Sequence, residues 1–423
     1  MDQSQKNYAL PIAMMFALFF MIAFVTGLPS PMGVIVANQF GASNFESQLG
    51  FLGNFLAYAF MGIPAGIMLR KLGYKTTALS AIAVGLVGVA IQFLSGQVGS
   101  FTVYLVGTFV SGFSMCMLNT VVNPMLNTLG GGGNSGNKLL QFGGSINSIA
   151  ATITPWLVGY LMGAVAGRTI EKANPALFLA MGIFALAFVV LSFVKIPEPH
   201  MQKANAVKPK HKHSPLSFRH FVFGAIAIFI YVGIEIGIPS TANLFMTAST
   251  TSANPGLGID ATLAGSIVGI YWLLMLFGRL TGASIGSKVS SKAMLIAVSS
   301  LGLLFILLAI LLPKSISVNF PFFNVAVPIS MIFLVLCGIC TSIMWGGIFN
   351  LAVEGLGKYT AAASGIFMVM VCGGGIIPLF QGFVSDKLGY VNSYWVIFAC
   401  LLYMLWYALI GCKNVNKDIP VVE

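Results

Sequence analysis

Charge is what this sequence has least of. Only 7% of its 423 residues are Asp, Glu, Lys or Arg, against roughly 25% in soluble domains. So few charges cannot clothe a soluble enzyme of this length. Acids are scarcest, 10 against 21 Lys and Arg. The four histidines (His200, His211, His213, His220) all fall in or beside one polar stretch. None lies deep in an apolar segment, which argues against a histidine proton relay. The six cysteines (Cys116, Cys337, Cys340, Cys372, Cys400, Cys412) lie in or at the ends of apolar segments. Cys337-Gly-Ile-Cys340 has the form of a redox or zinc motif, but it lacks His partners and a soluble zinc-binding unit. Reduced, buried packing residues are expected instead, with no metal and no cofactor. A nucleotide site is missing too. Gly130 to Lys138 is rich in glycine but lacks the Gly-Lys-Ser/Thr ending and a preceding strand. It reads as a flexible loop.

What is present is apolar. Hydrophobic residues make up 57% of the chain and aromatics 12%, which argues against disorder. The composition is that of a polytopic membrane protein, with little mass left for a soluble domain. A membrane span needs ~20 mostly apolar residues. That rule predicts twelve helices: 8–36, 47–69, 76–95, 100–128, 140–165, 176–194, 219–247, 261–285, 292–312, 326–353, 360–384 and 391–411. They are numbered spans 1 to 12 below. The short polar start, Met1 to Asn7, precedes a first helix that has no clear cleavage site and is expected to be retained.

The net charge of +11 does not gather on a soluble face, so a nucleic-acid partner is not expected. The charges sit in short loops, the pattern of membrane topology. The largest cluster is Lys195, Lys203, Lys208, Lys210, Lys212 and Arg219, read as a cytoplasmic loop against anionic lipid. With the N-terminus inside, 17 Lys and Arg fall inside, and only Arg168, Lys172, Lys314 and Lys387 fall outside. Both termini are therefore predicted to be cytoplasmic.

The polar stretch from Lys195 to Ser217 divides the chain into six spans and six. The halves echo each other: Pro155-Trp-Leu-Val-Gly159 in span 5 matches Pro378-Leu-Phe-Gln-Gly382 in span 11. The basic turn of Gly66, Arg70, Lys71 and Lys75 matches that of Arg279, Gly282, Lys288 and Lys292. Twelve spans in two matched halves are the pattern of a major facilitator fold. The expected units are an N-terminal half at 1–194, a cytoplasmic linker at 195–218 and a C-terminal half at 219–423.

Polar groups inside spans are costly and become functional candidates. Of the acids, only Glu235 is well inside a span, one turn after Tyr231 and one turn before Pro239. Span 4 holds Asn119, Asn123 and Asn127, four apart and so on one helical face, with Pro124 freeing a carbonyl nearby. Asn119 and Asn123 are expected to line a cavity, and Asn127, near the membrane edge, to pack between helices. Further candidates are Asn54 with Tyr58 in span 2, Gln141, Asn147 and Ser148 in span 5, and Asn243 in span 7. Trp272, Trp345 and Asn350 complete the set. Amides both donate and accept, and aromatic faces stack on C–H surfaces. Together they suit a hydroxyl-rich ligand such as a sugar. One mid-membrane acid and no mid-membrane histidine leave almost nothing from which to build an enzyme.

These residues resemble the fucose–galactose–glucose proton or sodium symporter family of the major facilitators. The likeness is clearest from Ser342-Ile-Met-Trp345 through Asn350-Leu-Ala-Val-Glu354 to Gly373-Gly-Gly-Ile-Ile-Pro378-Leu-Phe-Gln381. Tyr231-Val-Gly-Ile-Glu235 looks like the family's Tyr-Val-Gly-Ala-Glu. Asn123-Pro124 and Asn147-Ser148 fall on its Asn-Pro and Asn-Ser, and Ile63-Pro-Ala-Gly66 fits span 2. The resemblance implies an all-α, twelve-helix membrane protein that works by alternating access. It implies cation-coupled import of a hexose or hexose derivative across a bacterial inner membrane. The working unit is expected to be a monomer. By the same resemblance, Asn123 and Asn147 are expected near the sugar. The chain departs from the family at two acids, whose places fall on Asn119 and near Ser30. Na⁺ coupling through neutral oxygens of Ser30, Asn119 and Asn123, or coupling through Glu235, would replace them. An uncoupled facilitator and an exporter of hydrophobic drugs are the alternatives.

Overall fold

A computed structural model describes residues 8–130, 133–162, 169–198, 213–285, 289–313, 315–320, 323, 325–416 and 418–421. The side chains of Asn127 and Gln141 lie outside the described set. The chain is almost wholly helical, as apolar segments in lipid must be, because a helix satisfies its own backbone. Among the described residues, ten helical segments are long and apolar enough to cross a membrane. One of them, Leu49–Val98, holds both span 2 and span 3, which meet at Gly73. The Ser- and Asn-bearing helix Gly133–Met162 supplies span 5.

That helix corrects one expectation. Residues 133–138 of the glycine run read as a loop form the first turns of span 5. Glycine costs a helix about 1 kcal/mol per residue, so this start rests on the helix that follows and not on its own propensity.

Three spans are broken where the cavity described below passes them. Span 1 is Ala9–Gly27 followed by Pro29–Phe40, and span 10 is Ile329–Thr341 followed by Met344–Val353. Span 11 is Thr360–Met370 followed by Gly373–Leu388. Span 4 runs Phe101–Leu129, span 6 Asn174–Phe193, span 7 Arg219–Thr247, span 8 Ala261–Ile285 and span 9 Ser291–Leu311. Span 12 runs Tyr394–Trp406 and ends in a π-helical turn, Tyr407–Gly411. A short antiparallel pair, β1 (Ser317–Asn319) and β2 (Ala326–Pro328), joins spans 9 and 10.

Proline shapes the helix that carries Glu235. Pro239 has no N–H to give the carbonyl four residues back, which is that of Glu235. The Tyr271 hydroxyl of span 8 donates to that carbonyl instead, at 3.3 Å, and pairs with Thr341 Oγ1 of span 10 at 3.0 Å. The orphaned carbonyl thus ties spans 7, 8 and 10 together. Across the halves, span 5 packs on span 8 and span 2 on span 11. The basic turns at Lys71 and Ser290 mark one face of the bundle, called the basic face here. Ser43, Gly99 and Gly389 mark the opposite face.

Candidate functional site

Between the halves lies a cavity of about 750 Å³, within the ~300–1,000 Å³ of small-molecule sites. Its lining runs from Ser30 and Ser240 to Gly282, Ser291 and Asn350. Asn350 is exposed at the basic face. Toward the opposite face the walls meet. Gln48 donates to Ser240 at 3.3 Å, and Asn243 donates to Ser30 Oγ at 3.3 Å, in each case across the halves.

The span 4 amides lie in the wall as a ladder. Asn119 Nδ2 donates to Tyr58 Oη at 2.9 Å and to the Met115 carbonyl at 3.1 Å. Asn123 Nδ2 donates to the Asn119 carbonyl at 2.8 Å. In span 5, Asn147 Nδ2 donates to the Phe19 carbonyl at 3.1 Å. With their N–H groups engaged within the protein, Asn123 and Asn147 have carbonyl oxygens left to accept. A ligand hydroxyl is a fitting donor for them.

The opposite wall carries charge. Glu235 Oε1 stands 3.5 Å from Arg279 Nη2. Arg279 Nη1 also crosses to the N-terminal half, donating to the Gly144 carbonyl at 3.0 Å and to Ser148 Oγ at 2.8 Å. One guanidinium thus touches span 5, span 7 and its own span 8. Both side chains keep some exposure, 18% for Arg279 and 15% for Glu235, so water reaches the pair through the cavity. Trp345 packs against the Tyr231 ring at 6.2 Å, and Trp272 meets Tyr271 edge-on at 5.3 Å. Both indoles border the cavity, where they offer faces to an apolar ligand surface.

The structure brings most of the predicted residues to one place. Ser30, Asn119, Asn123, Asn147, Glu235, Trp272, Trp345 and Asn350 all line the cavity. Asn54 does not. It is buried behind the wall, its backbone against Gly112 of span 4, while Tyr58 one turn on is long enough to reach the cavity. Asn243 sits behind Ser30 in the closed seam and outside the lining. Gln141 lies outside the described side chains.

Arg279 is the residue the sequence reading missed, having been counted with a cytoplasmic turn. Two signals point to it. It lies seven residues after Trp272 and so on the same helical face. A mid-membrane acid also calls for a nearby cation. Placing Arg279 in the cavity takes one charge from the inside set and leaves the topology argument intact. Among the described residues there is no cluster of three His, Cys, Asp or Glu able to hold a metal ion.

Comparison with known proteins agrees with this architecture. Residues 14–379 match the Major Facilitator Superfamily. The chain is 29% identical over 417 residues to a glucose/galactose transporter of Brucella abortus, covering 97% of this chain and 96% of that one. It is 24% identical over 412 residues to an L-fucose-proton symporter of Escherichia coli, covering 92% and 90%. A solved major facilitator transporter, FucP in the outward conformation, superposes with a TM-score of 0.68 at 22% identity, covering 97% of this chain and all of that one.

Proposed function

Because the chain belongs to the Major Facilitator Superfamily, we propose that it is a cation-coupled symporter that imports a hexose or hexose derivative across the inner membrane. The observation that carries this reading is the cavity between the halves. It combines amide acceptors on one wall with a charge pair and two indole faces on the other, and it reaches the basic face. Acceptors read hydroxyls, and indole faces cover the C–H surface of a pyranose. The relatives named for glucose, galactose and fucose support the substrate class. The charge pattern supports a basic face in the cytoplasm, with both termini on that side. In this reading the structure is the inward-open state of a monomeric carrier.

The coupling ion is H⁺ or Na⁺, and no cofactor takes part. Ser30 and Asn119 offer neutral oxygens for Na⁺, and Glu235 offers a carboxylate for either ion. Labelled hexose uptake into proteoliposomes tests the reading, with an inward H⁺ gradient set against an inward Na⁺ gradient. Uptake should follow one gradient and not the other. Asn123→Ala should raise the half-saturation about tenfold, the worth of one lost hydrogen bond of ~1.4 kcal/mol. Normal kinetics in that variant would sink the assignment of the site. Counterflow without a response to either gradient would make the protein a facilitator, a reading favoured only by the neutral residues at Ser30 and Asn119.

A further inference from the structure

Two turns of this chain repeat each other on opposite faces of the bundle. Gly66 to Tyr74 reads Gly-Ile-Met-Leu-Arg-Lys-Leu-Gly-Tyr, and Gly382 to Tyr390 reads Gly-Phe-Val-Ser-Asp-Lys-Leu-Gly-Tyr. The backbone repeats as well. Gly73 has φ 83° and ψ 176°, and Gly389 has φ 87° and ψ 161°, a region glycine occupies without strain. The first turn closes span 2 on the basic face. The second closes span 11 on the opposite face. They share the first glycine and the closing Lys-Leu-Gly-Tyr and differ at the four positions between, the last of which is Arg70 in one and Asp386 in the other.

Asp386 uses its carboxylate across the halves. Its Oδ1 accepts from the Asn44 backbone N–H at 2.8 Å and its Oδ2 from that of Phe45 at 3.0 Å. These are the first two N–H groups of Asn44–Ser47, a four-residue helical turn just ahead of span 2, and donors at such a start have no partner within the turn. Asn44 Nδ2 also donates to Ser385 Oγ at 3.3 Å. At Gly382 the halves are in backbone contact, since a Cβ there would stand 2.7 Å from the Asn44 carbonyl oxygen. Beneath this lie the Gln48–Ser240 and Asn243–Ser30 hydrogen bonds, down to the cavity roof. The basic face has no equivalent among the described residues. Arg70 makes no hydrogen bond or ion pair there. The carboxylate at that turn, Glu198, is spent inside its own half on the backbone N–H groups of Tyr74 and Lys75.

We propose that Asp386 is a positioning residue of the transport cycle, a latch that holds the face opposite the basic one shut. The repeated turn on the basic face has Arg70 in its place. The empty carrier therefore rests open to the basic face, and substrate arriving from the other side must first find the latch released. The proposal rests on the alternating-access reading above but not on the identity of the sugar.

Spin labels at Asn38→Cys and Leu388→Cys, exposed positions in the two halves on the latched face, would report its opening. Double electron–electron resonance would be recorded without sugar in a background stripped of native cysteines. The parent should be mostly in the short-distance population. Asp386→Ala should raise the ratio of long to short about tenfold, as expected for two charge-assisted hydrogen bonds weakened by solvent. Asp386→Asn, which keeps an acceptor but no charge, should fall between. Lys387→Ala should match the parent. If Asp386→Ala does not stay monodisperse, Asp386→Asn decides alone. An unchanged distribution in the variants, or an equal shift in Lys387→Ala, would overturn the latch. Hexose counterflow on the same samples separates the two ideas: its absence in the parent would sink the sugar reading and leave the latch standing.

Discussion

The pair of Glu235 and Arg279 can be tested by a double-substitution cycle whose outcome is an order and not only a size. Removing one member of a buried pair costs about 3–5 kcal/mol, because the other charge is left without compensation. Water reaches this pair at 18% and 15% exposure, which lowers the expected cost of Glu235→Gln to about 2 kcal/mol. Arg279→Gln loses more. It leaves the Glu235 carboxylate without its cation, and it also gives up the hydrogen bonds to the Gly144 carbonyl and Ser148 Oγ, for about 3 kcal/mol in all. The double variant loses those two hydrogen bonds but strands no charge, and should lose about 1–2 kcal/mol. It should therefore melt above the Arg279→Gln single in detergent, with a coupling energy of about 3–4 kcal/mol. A double variant that melts below both singles, with additive losses, would show that the two groups do not act as a pair. The same three proteins, reconstituted, would tell whether the pair serves coupling. Counterflow retained in the double variant without gradient-driven accumulation would place the coupling on this pair.

Two further outcomes follow from the geometry. Asn119→Asp puts a carboxylate four residues ahead of Asn123-Pro124, where the resemblance expects an acid, and the pH profile of hexose counterflow should then differ from the parent's. A profile unchanged from pH 5 to pH 8 would mean that position 119 is shielded from the coupling ion. Tyr271→Phe removes the hydroxyl that serves the Glu235 carbonyl and Thr341. It should cost about 1–2 kcal/mol of stability, read as a lower melting temperature, while the half-saturation for hexose stays within about twofold.

The fold was legible because lipid makes one demand of every span. A segment of ~20 apolar residues must be helical, and the loops between such segments hold nearly all the charge. Among the described residues each predicted span is mainly helix, though span 10 starts at Ile329, because 326–328, expected to open it, form strand β2. Breaks within spans were harder to see. Span 1 bends beside Pro29, which the sequence advertises, but span 10 breaks at Ser342-Ile343, where no proline or glycine stands. The glycine run ahead of span 5 misled for the opposite reason, since glycine weakens a helix without forbidding one. Span 2 and span 3 run as one helical segment through Gly73, because the turn between them is a single positive-φ glycine and not a loop.

The site was half legible, and the reason lies in how few polar groups the membrane tolerates. In a soluble protein, a roll of amides and acids would be mostly surface. Here each one inside a span must find a partner or a cavity, so naming the intramembrane amides nearly names the wall. What the spacing of one helix cannot give is which of two neighbours on a face reaches the cavity, and so Asn54 and Tyr58 were not separated. Nor can it give partners from the other half, where Arg279 finds Gly144 and Ser148. The same economy says why Arg279 belongs in the site. A carboxylate that lacked a cation at this depth would cost several kcal/mol, and the chain carries only this arginine where span 8 faces it. A charge counted at the end of a span is best assigned to topology only after every acid inside the spans has been given its partner.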